Sequence, residues 1–407
     1  MYKNIYPLVV LCTLLSACSS EPVTVAPDFT PPPGIKIATP TSCTTLTVKP
    51  TPGPESPSLF PPVRESDQAR GAADSSVTFT AYIDYQDPRS KSFVDVSNRI
   101  LTDYADVMKI VFRLFPLLGV NDKSALSMQA VEAADAQGKF WEMHDLLFAQ
   151  HENWISLSAA DFEQWVTAQS TTVDLNVEQF KSDFKSEAII AKVKKYAEDG
   201  KAIGIPGTPL ILINGQIYGG PRDYGSFRDI IELILLGKRQ FTTCPPLTVQ
   251  TNHQYTATLH TENGDVVIEL FADKAPITVN SFIFLARNGW YDDITFHRVI
   301  PNLFALTGDP SGTGNGNPGY YIINEFDASL KFNRPGMVGM TNSGPNASNG
   351  QFFVTFAPTA QFDGQYTIFG QVVSGMDVLS LLSPRDAQPG GNSRPGDLLF
   401  SVTVEEK

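Results

Sequence analysis

The pattern of apolar residues changes along the chain, and this change constrains the fold more than any other feature of the sequence. Between residues 77 and about 237, apolar residues recur at spacings of three and four, as in amphipathic helices, around a few strand-like runs. Between residues 253 and 407 the apolar runs are short and separated by glycine-rich turns, which is typical of consecutive strands. A chain of 407 residues is also too long for one ordinary core. The sequence therefore predicts a multidomain protein: an α/β domain followed by an all-β domain with short helices.

The charge balance excludes one class of function. The chain is 42% hydrophobic and 18% charged, as expected for a folded soluble protein, and its formal net charge is −13. Binding to nucleic acid requires clustered Lys and Arg, and no such run occurs. We therefore expect no nucleic-acid partner, and any membrane attachment needs a cause other than charge.

The N-terminal segment supplies such a cause. A basic residue, Lys3, precedes a short apolar run, and Leu-Ser-Ala-Cys follows at residues 15–18. The run is shorter than the ~20 residues of a membrane span but suits a signal peptide. Residues 1–18 resemble a bacterial lipoprotein signal, which implies lipidation of Cys18 and anchoring to the outer face of the cell membrane or to the outer membrane. An ordinary secretory signal is the alternative, and both predict an exported protein.

Two further segments have linker composition. Residues 19–75 are rich in Pro, Ser and Thr, which predicts an extended tether that holds the folded domains off a membrane surface. Residues 241–252 are expected to link an α/β domain at 76–240 to a β domain at 253–407.

The cysteines restrict the chemistry further. Cys12 would leave with the signal and Cys18 would carry lipid, so Cys43 and Cys244 remain. No C-x-x-C pair exists, so neither a zinc ribbon nor thiol redox chemistry is expected, and no metal or cofactor is predicted. A disulfide between Cys43 and Cys244 and two unrelated thiols are both consistent with the sequence.

The α/β segment resembles a known family. A strand starting at residue 77 enters the turn Asp87-Pro-Arg-Ser90, and the stretches "QGKFWEMHDLLFAQ" and "GIPGTPLILINGQIYGG" follow. Together they resemble the DsbA-like branch of the thioredoxin superfamily, which implies a cis peptide before Pro209 beside the active-site turn. Asp87 and Ser90 stand where that family has its redox sulfurs, and neither can attack a disulfide. Pro209 would serve either to bind peptides or only to shape a turn.

The β segment carries the motifs with chemical content. "FHRVIP" at residues 296–301 leads to "GDP" at 308–310, and "MTNSGPNASNGQFF" at 340–353 is followed by "FDGQYTIFG" at 362–370. These blocks resemble the cyclophilin family of peptidyl-prolyl cis-trans isomerases over nearly the whole segment. The resemblance implies a closed β-barrel that acts on proline-containing chains.

The resemblance also assigns roles to residues. Arg298 is at the position of the catalytic arginine, and Phe353 matches the floor of the proline pocket. Positions that would form the rest of the pocket and the substrate groove are Leu303 and Phe304 (walls), Phe362 (rim), Gln351, Thr341 and Asn342 (groove), and Tyr366.

One of these positions departs from the family. Leu306 stands where the family usually has Gln, whose amide helps to orient the arginine. Rotation about an X-Pro bond needs no nucleophile or metal, but it needs a donor aimed at the nitrogen of the twisted amide. Loss of an orienting group could therefore lower the rate while leaving binding intact.

These features predict an exported peptidyl-prolyl isomerase that assists the folding of exported proteins. Its thioredoxin-like domain would be redox-inactive and would bind unfolded or extended client chains. The alternative is a non-catalytic, peptide-binding scaffold lipoprotein in which both sites are degenerate.

Overall fold

A computed structural model describes residues 42–46, 58, 60–386 and 396–407. The predicted signal, with Cys18, and most of the predicted tether lie outside the described residues. All elements below belong to one compact unit, Thr41–Lys407. Within the described residues, no helix is both long and apolar enough to cross a membrane.

The first strand, β1 (Cys43–Thr45), pairs with the sheet of the second domain. The elements of the first domain are β2 (Gln68–Gly71), β3 (Val77–Ile83), α1 (Pro88–Asp103), β4 (Met108–Leu114), α2 (Ser124–Asp135), α3 (Phe140–Ala149), α4 (His151–Trp154), α5 (Ala159–Gln169), a 3-10 turn (Ser170–Val173), α6 (Val177–Phe184), α7 (Glu187–Ala202), β5 (Leu210–Ile213), β6 (Gln216–Ile217) and α8 (Tyr224–Leu236).

The first domain is an α/β domain built on a mixed sheet. Its strands lie in the order β2-β4-β3-β5-β6, and β3 and β4 are parallel whereas the other pairs are antiparallel. Nearly every residue of β3 is buried, as its continuous apolar sequence predicts for a central strand. Because β2 lies in this sheet, the domain begins before the predicted boundary at residue 76.

Two helices pack on one face of the sheet and fix the position of the turn after β3. Phe227 of α8 lies 5.2 Å from Phe79 of β3 and 5.8 Å from Phe93 of α1, measured between ring centroids. Helix α1 begins at the turn because the Asp87 carboxylate accepts a hydrogen bond from the backbone N–H of Arg89, with Pro88 as the first helical residue. Asp87, predicted to stand at the position of a redox sulfur, is therefore a helix cap.

A helical insertion, α2 to α7, separates β4 from β5. Apolar residues recur at helical spacing throughout residues 124–150, but the structure divides this stretch into α2 and α3. The break falls at Gly138, whose φ of 73° is a left-handed conformation that ends a helix.

The second domain is rich in β-structure. Its elements are β7 (Tyr255–Thr261), β8 (Gly264–Leu270), α9 (Pro276–Arg287), β9 (Ile294–Thr295), β10 (Arg298–Ile300), β11 (Phe304–Thr307), β12 (Tyr320–Ile322), β13 (Met337–Asn342), β14 (Ser348–Thr355), a 3-10 turn (Ala360–Phe362), β15 (Thr367–Ser374), α10 (Met376–Leu379), β16 (Arg385–Asp386) and β17 (Leu398–Glu406).

The strand order corrects the prediction of a closed barrel. The antiparallel path runs β16-β10-β11-β14-β13-β15-β8-β7-β17-β9, and within the described residues no pairing joins its two ends. However, β9, the last strand at one end, ends at Thr295, and β10, the second strand from the other end, begins at Arg298, so these two strands lie within ~10 Å of each other along the chain. The sheet is therefore an antiparallel half-barrel that curves strongly without closing its hydrogen-bond ladder.

The predicted linker is docked on the second domain instead of running free. The backbone N–H of Phe241 donates to the Pro318 carbonyl at 2.8 Å, and the Gln240 side chain donates to the carbonyl of Asn317 at 3.1 Å. Farther along, the backbone N–H of Thr248 donates to the Asn280 side chain at 2.8 Å. The segment that follows α8 is thus part of the folded surface.

Strand β1 and a disulfide also hold the predicted linker against the second domain. Cys43 is opposite Ile322 in the β1–β12 pair, and Cys43 and Cys244 are joined by a disulfide with their Cα atoms 6.0 Å apart. Part of the segment predicted to be an extended tether is therefore a strand of the second domain, linked covalently to the inter-domain segment.

We expect this disulfide to stabilise the second domain. In the chain-entropy account, closing a loop with a sequence separation of 201 residues stabilises by up to about 5 kcal/mol. The double substitution Cys43→Ser, Cys244→Ser should lower the denaturant midpoint of that domain, followed by the backbone amide NMR signals of its strands. Each single Ser variant should behave like the double variant, and an unchanged midpoint would show that the loop contributes nothing.

Candidate active site

The strand register places the main candidate residues in one row across the sheet. Arg298 is opposite Leu306, Leu306 is opposite Phe353, Phe353 is opposite Gly339, and Gly339 is opposite Ile368. Directly opposed residues of neighbouring strands present their side chains on the same face of a sheet. The sheet therefore holds a cation, an aliphatic side chain and an aromatic ring side by side.

Phe353 forms the centre of an aromatic cluster. Its side chain is only 3% exposed. Four rings surround it, with centroids at 5.8 Å (Phe304), 5.5 Å (Phe332), 5.5 Å (Phe362) and 5.3 Å (Tyr366). Of these, Phe304, Phe362 and Tyr366 are partly buried and lie at the edge of the cluster. The predicted floor, one predicted wall and the predicted rim of the pocket are thus brought together.

Gly339 makes room for these rings. A Cβ atom at this position would lie 2.5 Å from Cζ of Phe353 and 2.9 Å from Cζ of Phe332. Both distances are far below van der Waals contact, so a side chain here would displace the floor of the pocket.

The structure also revises the list of pocket residues. Leu303 lies half-buried in the turn between β10 and β11, and it is not part of the apolar cluster. Phe332 and Ile368, which the sequence analysis did not select, belong to the cluster. Phe332 lies in an irregular segment and had no periodic signal. Ile368 follows from the register once the strand order is known.

A small cavity adjoins this cluster. It has a volume of about 180 Å³ and is lined by Tyr366, Ile368, Gly364 and the segment from Glu325 to Lys331. Tyr366 borders both the ring cluster and this cavity.

Arg298 lies at the solvent-exposed end of the row. Its side chain is 47% exposed, and its Nε donates a hydrogen bond to Oδ1 of Asp386 at 2.8 Å. The guanidinium carbon is 5.5 Å from the centroid of the Phe304 ring. The neighbouring His297 is buried, and burial lowers its pKa, so at neutral pH it adds no second positive charge beside Arg298.

Gln351 occupies a different environment from the one predicted. The side chain is 3% exposed, and its amide nitrogen donates to the carbonyls of Gly314 at 3.1 Å and Gly316 at 2.8 Å. Both amide protons are therefore used to support the loop after β11. In the absence of substrate, Gln351 offers no free donor to a groove.

That loop is organised by one buried carboxylate. Asp309 is fully buried and accepts hydrogen bonds from the backbone N–H groups of Ser311 at 2.8 Å, Gly314 at 2.7 Å and Gly316 at 2.9 Å. The carboxylate fixes the loop, and the loop in turn fixes Gln351.

The other two groove residues lie at the end of β13. The hydroxyl of Thr341 donates to the Asn349 side chain at 2.8 Å, and the Asn342 amide donates to the carbonyl of Gln365 at 2.8 Å. The second bond ties β13 to the turn that carries Tyr366. Thr341 and Asn342 are half-buried.

In the first domain, the turn and the proline come together. The peptide between Thr208 and Pro209 is cis. The Asp87 carboxylate, 4% exposed, accepts hydrogen bonds from the hydroxyls of Thr208 at 2.7 Å and Ser90 at 3.2 Å. At this turn the Asp87 carboxylate is thus hydrogen-bonded both to the Ser90 hydroxyl and to the Thr208 hydroxyl. Within the described residues, no group of three His, Cys, Asp or Glu side chains could hold a metal ion.

Comparison with known proteins assigns both domains. A family model described as cyclophilin type peptidyl-prolyl cis-trans isomerase matches residues 256–398, and a model described as thioredoxin matches residues 64–233. The chain is 44% identical over 152 residues to a peptidyl-prolyl cis-trans isomerase-like 1 protein of Aspergillus oryzae, covering 36% of this chain and 93% of the relative. It is 41% identical over 150 residues to a peptidyl-prolyl cis-trans isomerase of Arabidopsis thaliana, covering 36% of this chain and 94% of that protein.

Solved structures give a similar match. A cyclophilin type peptidyl-prolyl cis-trans isomerase of Cryptosporidium parvum is 28% identical, with a TM-score of 0.35, and the match covers 37% of this chain and 98% of that one. The predicted bacterial lipoprotein signal lies outside the described residues and stays a prediction. Through residues 256–398 the chain belongs to the cyclophilin-type peptidyl-prolyl cis-trans isomerase family, and it carries a thioredoxin-like domain ahead of that region.

Proposed function

We propose that the isomerase uses Arg298 as its catalytic group and the cluster around Phe353 as its proline-binding pocket. The observation that carries this proposal is the row Arg298–Leu306–Phe353, set by the pairing of β10, β11 and β14. Adjacent strands are ~4.8 Å apart, so the backbones that carry the cation and the ring are roughly 10 Å apart. An extended arginine side chain spans most of that distance.

This spacing suits the chemistry of the reaction. Amide resonance creates a barrier of about 18–20 kcal/mol to rotation about the peptide bond. In the twisted transition state the proline nitrogen loses resonance and gains a lone pair that accepts a hydrogen bond. A guanidinium held beside the pocket donates to that nitrogen more strongly in the transition state than in the ground state, and this difference accelerates the reaction.

The first domain would hold client chains beside the isomerase. Asp87 and Ser90 leave it no thiol at the active-site turn. Two exposed apolar residues follow β4 near this turn: Leu118 is 41% exposed and Val120 is 77% exposed. The segment that carries them is bound to Asp84, at the end of β3, through the backbone N–H of Leu117 at 3.0 Å. An apolar surface at the end of the sheet favours binding of extended, unfolded chains.

The protein would act outside the cytoplasm and be lipid-anchored. Two independent features support this location: the signal-like segment that ends at Cys18, and the Cys43–Cys244 disulfide, since such bonds persist in oxidising compartments. The rival function, a non-catalytic scaffold, is favoured only by Leu306 in the row.

Arg298→Ala should lower kcat/KM for a proline-containing peptide by about a hundredfold, as does removal of a transition-state donor in other enzymes. The affinity for the peptide should change little, because the contact strengthens mainly as the amide twists. A protease-coupled isomerisation assay on the whole chain measures the rate, and isothermal titration calorimetry measures the affinity.

Matched control variants distinguish a loss of function at the proposed site from a general effect of substitution on the protein. Arg334 is an exposed arginine bonded to Gln371, outside the row, so Arg334→Ala should keep the full rate. Phe353→Ala should reduce rate and affinity together, whereas Phe400→Ala, at a position 46% exposed, should change neither. An Arg298→Ala enzyme as fast as wild type would remove the arginine from the mechanism.

The first domain should show no thiol redox activity. The whole chain should neither reduce insulin nor oxidise a dithiol peptide, because the turn holds a carboxylate and a hydroxyl. The Cys43→Ser, Cys244→Ser variant excludes a contribution from the disulfide. Turnover above buffer in that variant would contradict this expectation.

Cys18 should be the site of lipid attachment. After expression in a bacterial host, Cys18→Ala should lose incorporation of a radiolabelled fatty acid and separate into the soluble fraction. Cys12→Ala is the matched control and should keep the label, and label persisting on the Cys18→Ala protein would refute the assignment.

A further inference from the structure

Arg298 needs an orienting contact that its own strand does not supply. Its side chain is 47% exposed. A long, half-exposed arginine samples many rotamers, and holding it in one costs conformational entropy. Since electrostatic catalysis depends on a donor already aimed at the reacting atom, freedom of this kind lowers the rate.

Leu306, on one side, offers no such contact. It is directly opposite Arg298 in the β10–β11 pair and packs against the aromatic cluster. Its aliphatic side chain cannot accept a hydrogen bond. It can only limit the guanidinium by steric contact.

Asp386, on the other side, accepts a hydrogen bond from Arg298. Asp386 is directly opposite Arg298 in the β10–β16 pair, and its Oδ1 accepts from Nε at 2.8 Å. In the hydrogen bonds of the described residues, Nη1 and Nη2 of Arg298 have no acceptor. The carboxylate thus holds the inner nitrogen of the guanidinium and leaves the two outer ones available to a substrate.

The short strand β16 is itself anchored. Arg385 is opposite Val299, and its Nε donates to the carbonyl of His297 at 3.2 Å. Asp386 is therefore held by backbone pairing and by its neighbour, one strand away from the arginine. Asp386 therefore differs from a carboxylate whose only link to an arginine is an ion pair between two mobile side chains.

We propose that Asp386 is the positioning residue for Arg298 and takes the place of an amide at position 306. The inference rests on the catalytic role proposed for Arg298. Because Asp386 is 50% exposed, the ion pair should contribute little to folding stability. Its effect should therefore appear in the rate and not in the unfolding midpoint.

The test compares variants of the whole chain in the isomerisation assay. Asp386→Ala should lower kcat/KM about tenfold, as expected for a misdirected catalytic group, with peptide affinity and thermal midpoint unchanged. Asp386→Asn keeps an oxygen that accepts from Nε and should keep most of the rate. Glu405→Ala, which removes a carboxylate from an exposed position of β17, is the matched control and should have no effect.

Two further variants test the route of the effect. Adding Leu306→Gln to Asp386→Ala should restore much of the rate, because an amide then contacts the arginine from the opposite strand. In an Arg298→Ala background, Asp386→Ala should have no further effect, since positioning requires the group that is positioned. The ¹⁵Nε–¹H resonance of Arg298 should move towards that of solvent-exposed arginines in Asp386→Ala and return in the rescued variant.

The outcomes distinguish the two proposals. A large loss in Arg298→Ala together with a fully active Asp386→Ala would overturn the positioning role alone. A fully active Arg298→Ala would overturn both. A loss caused by Asp386→Ala that persists in the Arg298→Ala background would show that the carboxylate acts independently of the arginine.

Discussion

The pairing of β10 with β11, and of β11 with β14, is the constraint on which the site depends. It places Arg298 and Leu306 on the same face of the sheet as Phe353, which lies far from both in sequence. A register shift of one residue in either pair would turn every side chain of the shifted strand to the opposite face and separate the cation from the ring. Gly339 completes the arrangement, because only its missing side chain lets two phenylalanine rings lie over β13. The backbone ladder thus supplies preorganisation that a flexible arginine could not provide by itself.

The sequence predicted the parts of this site that lie in dense motifs and missed those that depend on register or on irregular backbone. Arg298 and Phe353 could be selected from their neighbours alone. Asp386 could not, because its role depends on a two-residue strand that pairs with β10 across 88 positions of sequence. The position of Gln351 in the groove was inferred from the family, whereas the structure commits its amide to the loop after β11. The order of the two domains followed from hydrophobic periodicity. The curvature of the half-barrel could not be predicted in this way, since hydrophobic periodicity does not show whether the first and last strands of a sheet pair with each other.

The two domains handle a buried carboxylate in the same way. Asp87 in the first domain and Asp309 in the second are almost fully buried, and each accepts several hydrogen bonds: Asp87 from its own turn and from Thr208, and Asp309 from its own loop. A buried carboxylate is costly unless it is bonded in this way, and once bonded it makes the surrounding backbone rigid. In the first domain these bonds join the turn before α1 to the segment before Pro209. In the second domain it fixes the loop whose carbonyls accept the hydrogen bonds of the Gln351 amide.

The connection between the domains reaches the same loop. Gln240 and Phe241, just after α8, bind the carbonyls of Asn317 and Pro318, and Leu236 of α8 lies within the core of the second domain. The disulfide holds β1 and the inter-domain segment against this region. The loop after β11 is therefore bound on one side by the linker and on the other by Gln351. These contacts hold the loop after β11 at a fixed position relative to the end of α8. Under the proposed function, a client chain held by the first domain would therefore meet the cluster around Phe353 at a high effective concentration, without free diffusion between two separate proteins.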